Sequence, residues 1–556
     1  MRHTRSVSQW FVAALTLGGL ALGPVARAGA EPADSPRERA GSGASARDVG
    51  EVVVTGSGAV RGRTVTPTGG RGTGPLRSFQ GIPYAAPPTG DRRWTAPRPP
   101  APWTGVREAT TPGAPCAQPV GLPVGRPSTA EDCLYLNVTA PAATDGKRPV
   151  IVWIHGGSLM YGTGDLYGPE RLAAGGAVVV SMNYRLGVLG FLGDPALPGA
   201  DGLGLQDQQA ALRWVRANAA AFGGDARNVT VMGQSGGGYS VCDHLVSPAS
   251  AGLFDRAVVQ SAPCATGGTR SRAEAAADAR RVVKAVGCER DTAACLRRRP
   301  VAELLDAYGP FNEPRPVAGT KLLPRTPEQA LRTGRFHRVP VLIGVGRDEE
   351  RGMVLGAELA PGGAPMKPAE YEPAVREQFG ARAEEVLRRY PLSAYPSAGE
   401  ALAAAGTDAR WAVPTLDTAR LLAKWTPTSM YEFAERDTPW FTGYPAPSFA
   451  PRAQHMSELA YLFDLDLFQD VRPGQEPFRA RMISTWVGFA RSGRTDWPAF
   501  RSGDGHVQAL ASDGSGRTDF GAEHAYGFWK RNGTDPGAGT SRRAEAGLVT
   551  GTVTGA

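Results

Sequence analysis

The chain has 556 residues, 42% of them apolar and 21% charged, an ordinary globular composition with ample material for a core. Its formal net charge of +8 is half terminal, since residues 1–50 hold six Arg against four acids and residues 530–556 hold four basic against two acidic residues. The remaining excess, spread over the body of the chain, is too small for a nucleic-acid surface.

The N-terminus places Arg2 and Arg5 before an apolar run from Trp10 to about Gly23. A small-x-small site follows at Ala26–Ala28 or Ala28–Ala30, so residues 1–30 are expected to be a secretory signal peptide. That run is too short to span a bilayer, and no later stretch approaches the length a span needs. Residues 31–50 are polar and turn-rich and predict a flexible leader. Export makes disulfides the natural use of the six Cys. Cys116 and Cys133 flank a Pro- and Gly-rich stretch, as a stapled loop would; Cys288 and Cys295 suit a small closed loop; Cys242 and Cys264 remain as a candidate third pair. No C-x-x-C occurs, which argues against structural zinc.

From residue 149 onward short apolar runs rich in β-branched residues alternate with helical patterns. The strands predicted are 149–154, 176–184, 228–232, 256–262, 339–345 and 428–433, with helices over 205–222 and 417–425. Such runs, apolar on both faces, imply a mostly parallel sheet covered on both sides, with reactive groups on loops at the carboxyl ends of strands. No repeat or long linker interrupts 51–530, which reads as one domain, and 531–556 reads as a disordered tail.

Gly-Gln-Ser-Gly-Gly at 233–237 lies at such a strand end, immediately before a helical segment. In a chain with 72 Gly and 27 Ser, the pattern G-x-S-x-G arises by chance about once in every two chains of this length, so context must decide. A nucleophilic Ser235 requires a histidine base, an acid to orient it, and oxyanion donors. Seven His are available, and elimination works. His3 leaves with the signal peptide; His244 lies too far along the helix after Ser235; His155 belongs to a glycine turn; His337 sits at the wrong end of a strand. His506 and His524 fall in Gly- and Asp-rich turns and read as surface residues, which leaves His455 as the base. The glycine turn "WIHGGS" (153–158) can present backbone N–H groups to a substrate oxygen. "GRDEERG" (346–352) offers Asp348, Glu349 and Glu350 as the acid, and spacing does not choose among them.

With these residues assembled, the chain resembles the type-B carboxylesterases of the α/β-hydrolase fold, a group that includes bacterial p-nitrobenzyl esterases and cholinesterases. "FQGIPYAAPPTGDRRW" (79–94), "EDCLYLNV" (131–138) and the block 207–237 carry the resemblance in the expected order, from about Glu51 to Lys530. It implies Ser235 as nucleophile, Glu349 as orienting acid with Glu350 the lesser choice, and His455 as general base and acid. It also implies oxyanion donors at the N–H groups of Gly157, Ser158 and Gly236, and disulfides Cys116–Cys133 and Cys288–Cys295. Neither metal nor organic cofactor is expected. The partner expected is a small-molecule ester, with no nucleic acid, no membrane span and a monomer favoured. Gln234 stands where the pattern usually has Glu, and the Cys116–Cys133 loop lacks the tryptophan of cholinesterases, so neutral esters are favoured over choline esters. The triad leaves amides, carbamates and polymer esters open, because pocket walls set the substrate. A non-catalytic binding protein on the same fold is disfavoured by the filled Ser and His positions.

Overall fold

The computed structural model describes residues 51–67, 74–121, 124–142, 147–309, 314–359, 362–501 and 505–531. The expected signal peptide and leader lie outside these residues, as does the expected tail beyond Arg531, which ends the last helix. Fourteen strands are described. The first six are β1 (Val52–Thr55), β2 (Gly58–Arg61), β3 (Arg63–Val65), β4 (Leu76–Pro83), β5 (Val106–Glu108) and β6 (Tyr135–Pro141). The next are β7 (Arg148–Ile154), β8 (Val178–Met182), β9 (Gly224–Gln234), β10 (Arg256–Gln260) and β11 (Val341–Gly346). The last are β12 (Thr428–Phe433), β13 (Val507–Leu510) and β14 (Gly516–Thr518).

One sheet of 11 strands runs in the order β14-β13-β12-β11-β10-β9-β7-β8-β6-β4-β3, and β1, β2 and β5 form a small second sheet. From β13 to β8 every pairing is parallel, while both flanks are antiparallel. All six predicted strands belong to the parallel centre. Their alternation explains the unbroken apolar runs. On β7, Val150, Val152 and Ile154 enter one core, while Ile151 and Trp153 enter the core on the opposite face. At the two edges of the sheet, β3 and β14 are only three residues long and partly exposed, and give no comparable signal.

The predicted helix at 205–222 spans Leu203–Asn218, and Ala219–Phe222 tightens into a 3₁₀ turn closed by Gly223 in the left-handed region. The other predicted helix spans Val413–Leu422. Three disulfides form, Cys116–Cys133, Cys242–Cys264 and Cys288–Cys295. The candidate third pair thus closes, tying the helix after Ser235 to the loop that follows β10. Among the described residues no helix is long and apolar enough to cross a membrane.

His524 departs from the sequence expectation. It is buried, with Nδ1 2.6 Å from Asp408 and Nε2 2.7 Å from Glu432. The C-terminal helices fold back over β12 and carry it inside, a long-range event that local turn composition does not encode. Arg347 pairs with Glu432 and Glu523, and the Tyr390 hydroxyl donates to Asp408. Burial opposes the charge on His524, but the hydrogen bonds and charges of Asp408 and Glu432 outweigh it and push its pKa up to about 10. Because this lies above the ordinary value of about 6.5, the stabilisation is complete below that pH and is lost as pH rises towards 10. The melting temperature is therefore expected to fall between pH 7 and pH 9.5. His524→Leu should remove most of that slope and destabilise the protein at pH 7 by about 3–5 kcal/mol, because Asp408 loses its cation and Glu432 keeps only Arg347. Parallel melting curves at both pH values test this, and equal slopes in the two proteins would refute it.

Candidate active site

The parallel centre brings the candidate residues together, because each follows the carboxyl end of a neighbouring strand. Gly156–Ser158 follow β7, Ser235 follows β9, Ser261 follows β10 and Glu349 follows β11. The register aligns those ends: Ile154 lies beside Gly233, Gln234 beside Gln260, and Gln260 beside Gly344.

Ser235 sits at the N-terminus of the Gly236–Val246 helix with φ 55° and ψ −123°. This conformation costs a non-glycine residue about 1–3 kcal/mol. The surroundings enforce it. The Ser235 N–H donates to the Gln260 carbonyl at 2.9 Å, and the Ser235 carbonyl accepts from Tyr239 at 2.9 Å. Gly237 is required because a Cβ there would lie 2.0 Å from the Ile154 carbonyl oxygen. The helix backbone packs directly on the strand end, and only glycine allows it.

The glycine turn after β7 abuts Ser235: a Cβ on Gly156 would lie 3.3 Å from the Ser235 Cβ. Gly157, Ser158 and Leu159 follow with φ of 101°, 56° and 58°, a left-handed run that turns the backbone around the site. A Cβ on Gly236 would lie 3.1 Å from the Ser158 nitrogen, so the two donor segments face one another. Among the described residues, none of the N–H groups of Gly157, Ser158 and Gly236 donates to a protein acceptor. Such a cluster of unused donors at a helix N-terminus suits a developing oxyanion.

The three neighbouring carboxylates separate cleanly. Asp348 pairs with Arg351 at 3.2 Å. Glu350 accepts from Arg410 Nε at 2.9 Å and from the Trp411 indole N–H at 2.6 Å. Burial raises the Glu350 pKa, but the charge and hydrogen bonds of Arg410 and the Trp411 bond outweigh it and hold the group below the usual carboxylate range. Glu349 is fully buried and meets His455: its Oε2 lies 2.5 Å from Nδ1. Its Oε1 accepts from the Gly346 N–H at 2.6 Å and the Ser261 hydroxyl at 2.6 Å. A carboxylate can only accept, so Nδ1 carries the proton and Nε2 is left as a base.

That Nε2 lies 3.3 Å from the side-chain amide nitrogen of Gln234, the residue preceding Ser235, which brings the elbow beside His455. Glu458 also lies near, its Oε2 accepting from the Tyr431 hydroxyl at 2.8 Å. Burial pushes its pKa up to about 7, so it is partly neutral at physiological pH. The other histidines are placed elsewhere. His155 stacks on Tyr184 with its pKa lowered to about 4 by burial, and His244 bonds Ser250 and Gln208 within the buried framework. His337 bonds the Ser247 carbonyl, and half-buried His506 bonds Gln508.

Sequence reasoning did not single out Ser261, the Gln234 contact or Trp411. Ser261 had a signal available, since it directly follows a parallel strand as Ser235 does. Trp411, whose ring centre lies 4.8 Å from that of His455, had none, because the 44 positions that separate the two along the chain prevent any reading by local spacing.

The comparisons agree with this architecture. The model of the carboxylesterase family matches residues 49–529. The chain is 33% identical over 481 residues to the para-nitrobenzyl esterase of Bacillus subtilis (strain 168), covering 81% of this chain and 92% of that protein. It is 31% identical over 503 residues to the cocaine esterase of Homo sapiens, covering 82% and 87%. It is 32% identical over 479 residues to the acylcarnitine hydrolase of Mus musculus, covering 80% and 84%. With its α/β-hydrolase fold, the chain belongs to the carboxylesterase family and is a carboxylic ester hydrolase.

Proposed function

We propose that the protein is a secreted serine esterase that cleaves neutral carboxylic esters through an acyl-enzyme on Ser235. The observation that carries the reading is the buried Glu349–His455 bond at 2.5 Å, beside a strained serine elbow. His455 Nε2 takes the proton as Ser235 attacks the ester carbonyl, and Glu349 steadies the imidazolium that forms. The oxyanion rests on the N–H groups of Gly157, Ser158 and Gly236. His455 then protonates the leaving alcohol, and water repeats the sequence on the acyl-enzyme. Gln234 places a neutral amide beside the nucleophile, which favours neutral over cationic substrates. Three disulfides support an oxidising destination. The domain is taken as residues 51–530, with residues 1–30 removed on export.

The test is covalent capture. A fluorophosphonate is expected to label the mature protein at one site per chain, on Ser235, and to abolish hydrolysis of p-nitrophenyl butyrate in parallel. Peptide mapping that places the label elsewhere, or full activity after complete labelling, would reject the reading.

A further inference from the structure

We infer that Trp411 is a positioning residue for His455, and that the Glu350–Arg410 pair holds the indole in place. The inference rests on the reading of His455 as general base. The bond from Nδ1 to Glu349 fixes one direction of the imidazole, and the long 3.3 Å approach of the Gln234 amide to Nε2 holds the ring only weakly against a roll that would swing Nε2 away from Ser235. A flat group against the ring face resists the roll. Trp411 supplies it, with ring centres 4.8 Å apart and planes inclined at 45°. The same indole face attracts the imidazolium that forms during proton transfer.

The indole is itself anchored. Its N–H and Arg410 Nε converge on one oxygen of Glu350, at 2.6 and 2.9 Å, and a second Arg410 nitrogen lies 2.9 Å from the other oxygen. Adjacent side chains on a regular α-helix point about 100° apart. Residues 408–412 instead form a π-helical turn, and there Arg410 and Trp411 reach the same carboxylate. Asp408 opens this turn and is held by His524 and Tyr390. Glu350 is fixed from the other side, its N–H donating to the Thr407 hydroxyl at 3.0 Å. Gly406 leaves room for the pair, since a Cβ there would lie 2.9 Å from the Glu350 Cγ. Glu350 is buried while Arg410 stays partly exposed, and such an ion pair adds little net stability but does fix geometry. Here the geometry it fixes is that of the ring on the base.

Kinetics of Trp411→Leu and Trp411→Phe test the inference. Trp411→Leu is expected to lower kcat for p-nitrophenyl butyrate by about 10- to 100-fold, with KM changed by less than about threefold, as a displaced base would. The rate of fluorophosphonate labelling should fall in step. Trp411→Phe keeps a ring on the imidazole face and should recover most of the loss. Unchanged kcat in Trp411→Leu, or a raised KM at unchanged kcat, would overturn the inference and make Trp411 a pocket wall. A Phe variant as impaired as Leu would overturn it too. Should Trp411→Leu fail to fold, Trp411→Met, which fills the volume without a ring, takes its place with the same expectations. His455→Ala separates the two readings: if it retains activity, the assignment of the base has failed, whereas its inactivity beside a fully active Trp411→Leu rejects only the positioning role.

Discussion

Ser235→Ala is expected to lower kcat for p-nitrophenyl butyrate by about 10⁵- to 10⁶-fold while leaving the fold intact. The alanine keeps the elbow backbone and removes only the hydroxyl, so the loss reads the covalent step. Thermal melting of the variant should match the parent. Residual hydrolysis should reflect only what the oxyanion donors and substrate binding provide without a nucleophile. Turnover near the parent rate would mean that the ester carbonyl is attacked by another group.

Glu349→Gln is expected to cost about 10⁴-fold in kcat, and the hydrogen bonds state why. Oε1 of Glu349 accepts from both the Gly346 N–H and the Ser261 hydroxyl, so a glutamine carbonyl would take that position. Its NH₂ would then face His455 Nδ1, which must become an acceptor. The ring proton would move to Nε2, where a base is needed. Glu350→Gln keeps an acceptor for Trp411 and Arg410 and should lose far less activity. Comparing the two variants at saturating substrate decides between them, and a reversed ranking would move the acid to Glu350.

Much of the site was legible because its parts are local. Gly233–Gly237 and the glycine turn at 156–157 are contiguous motifs, since strand–turn–helix packing demands small residues at fixed positions. The central strands were legible for a similar reason: burial on both faces leaves unbroken apolar runs. His455 was proposed by elimination among few histidines, a method that depends on their scarcity. The same method misread His524, because a turn-rich local sequence says nothing about a helix folding back over β12.

The order of residues along the chain is enough to name the candidates for the proposed reaction: an elbow serine, a glycine turn, a histidine, and an acid narrowed to three neighbours. The resemblance then pointed to Glu349. Only the tertiary structure separated those neighbours, because adjacent carboxylates have identical chemistry and differ in what faces them. Asp348 faces Arg351, Glu350 faces Arg410 and Trp411, and Glu349 faces His455. Spacing along the chain cannot encode those directions. They are set where β11, the 408–412 turn and the loop bearing His455 meet, and long-range packing alone brings those segments together.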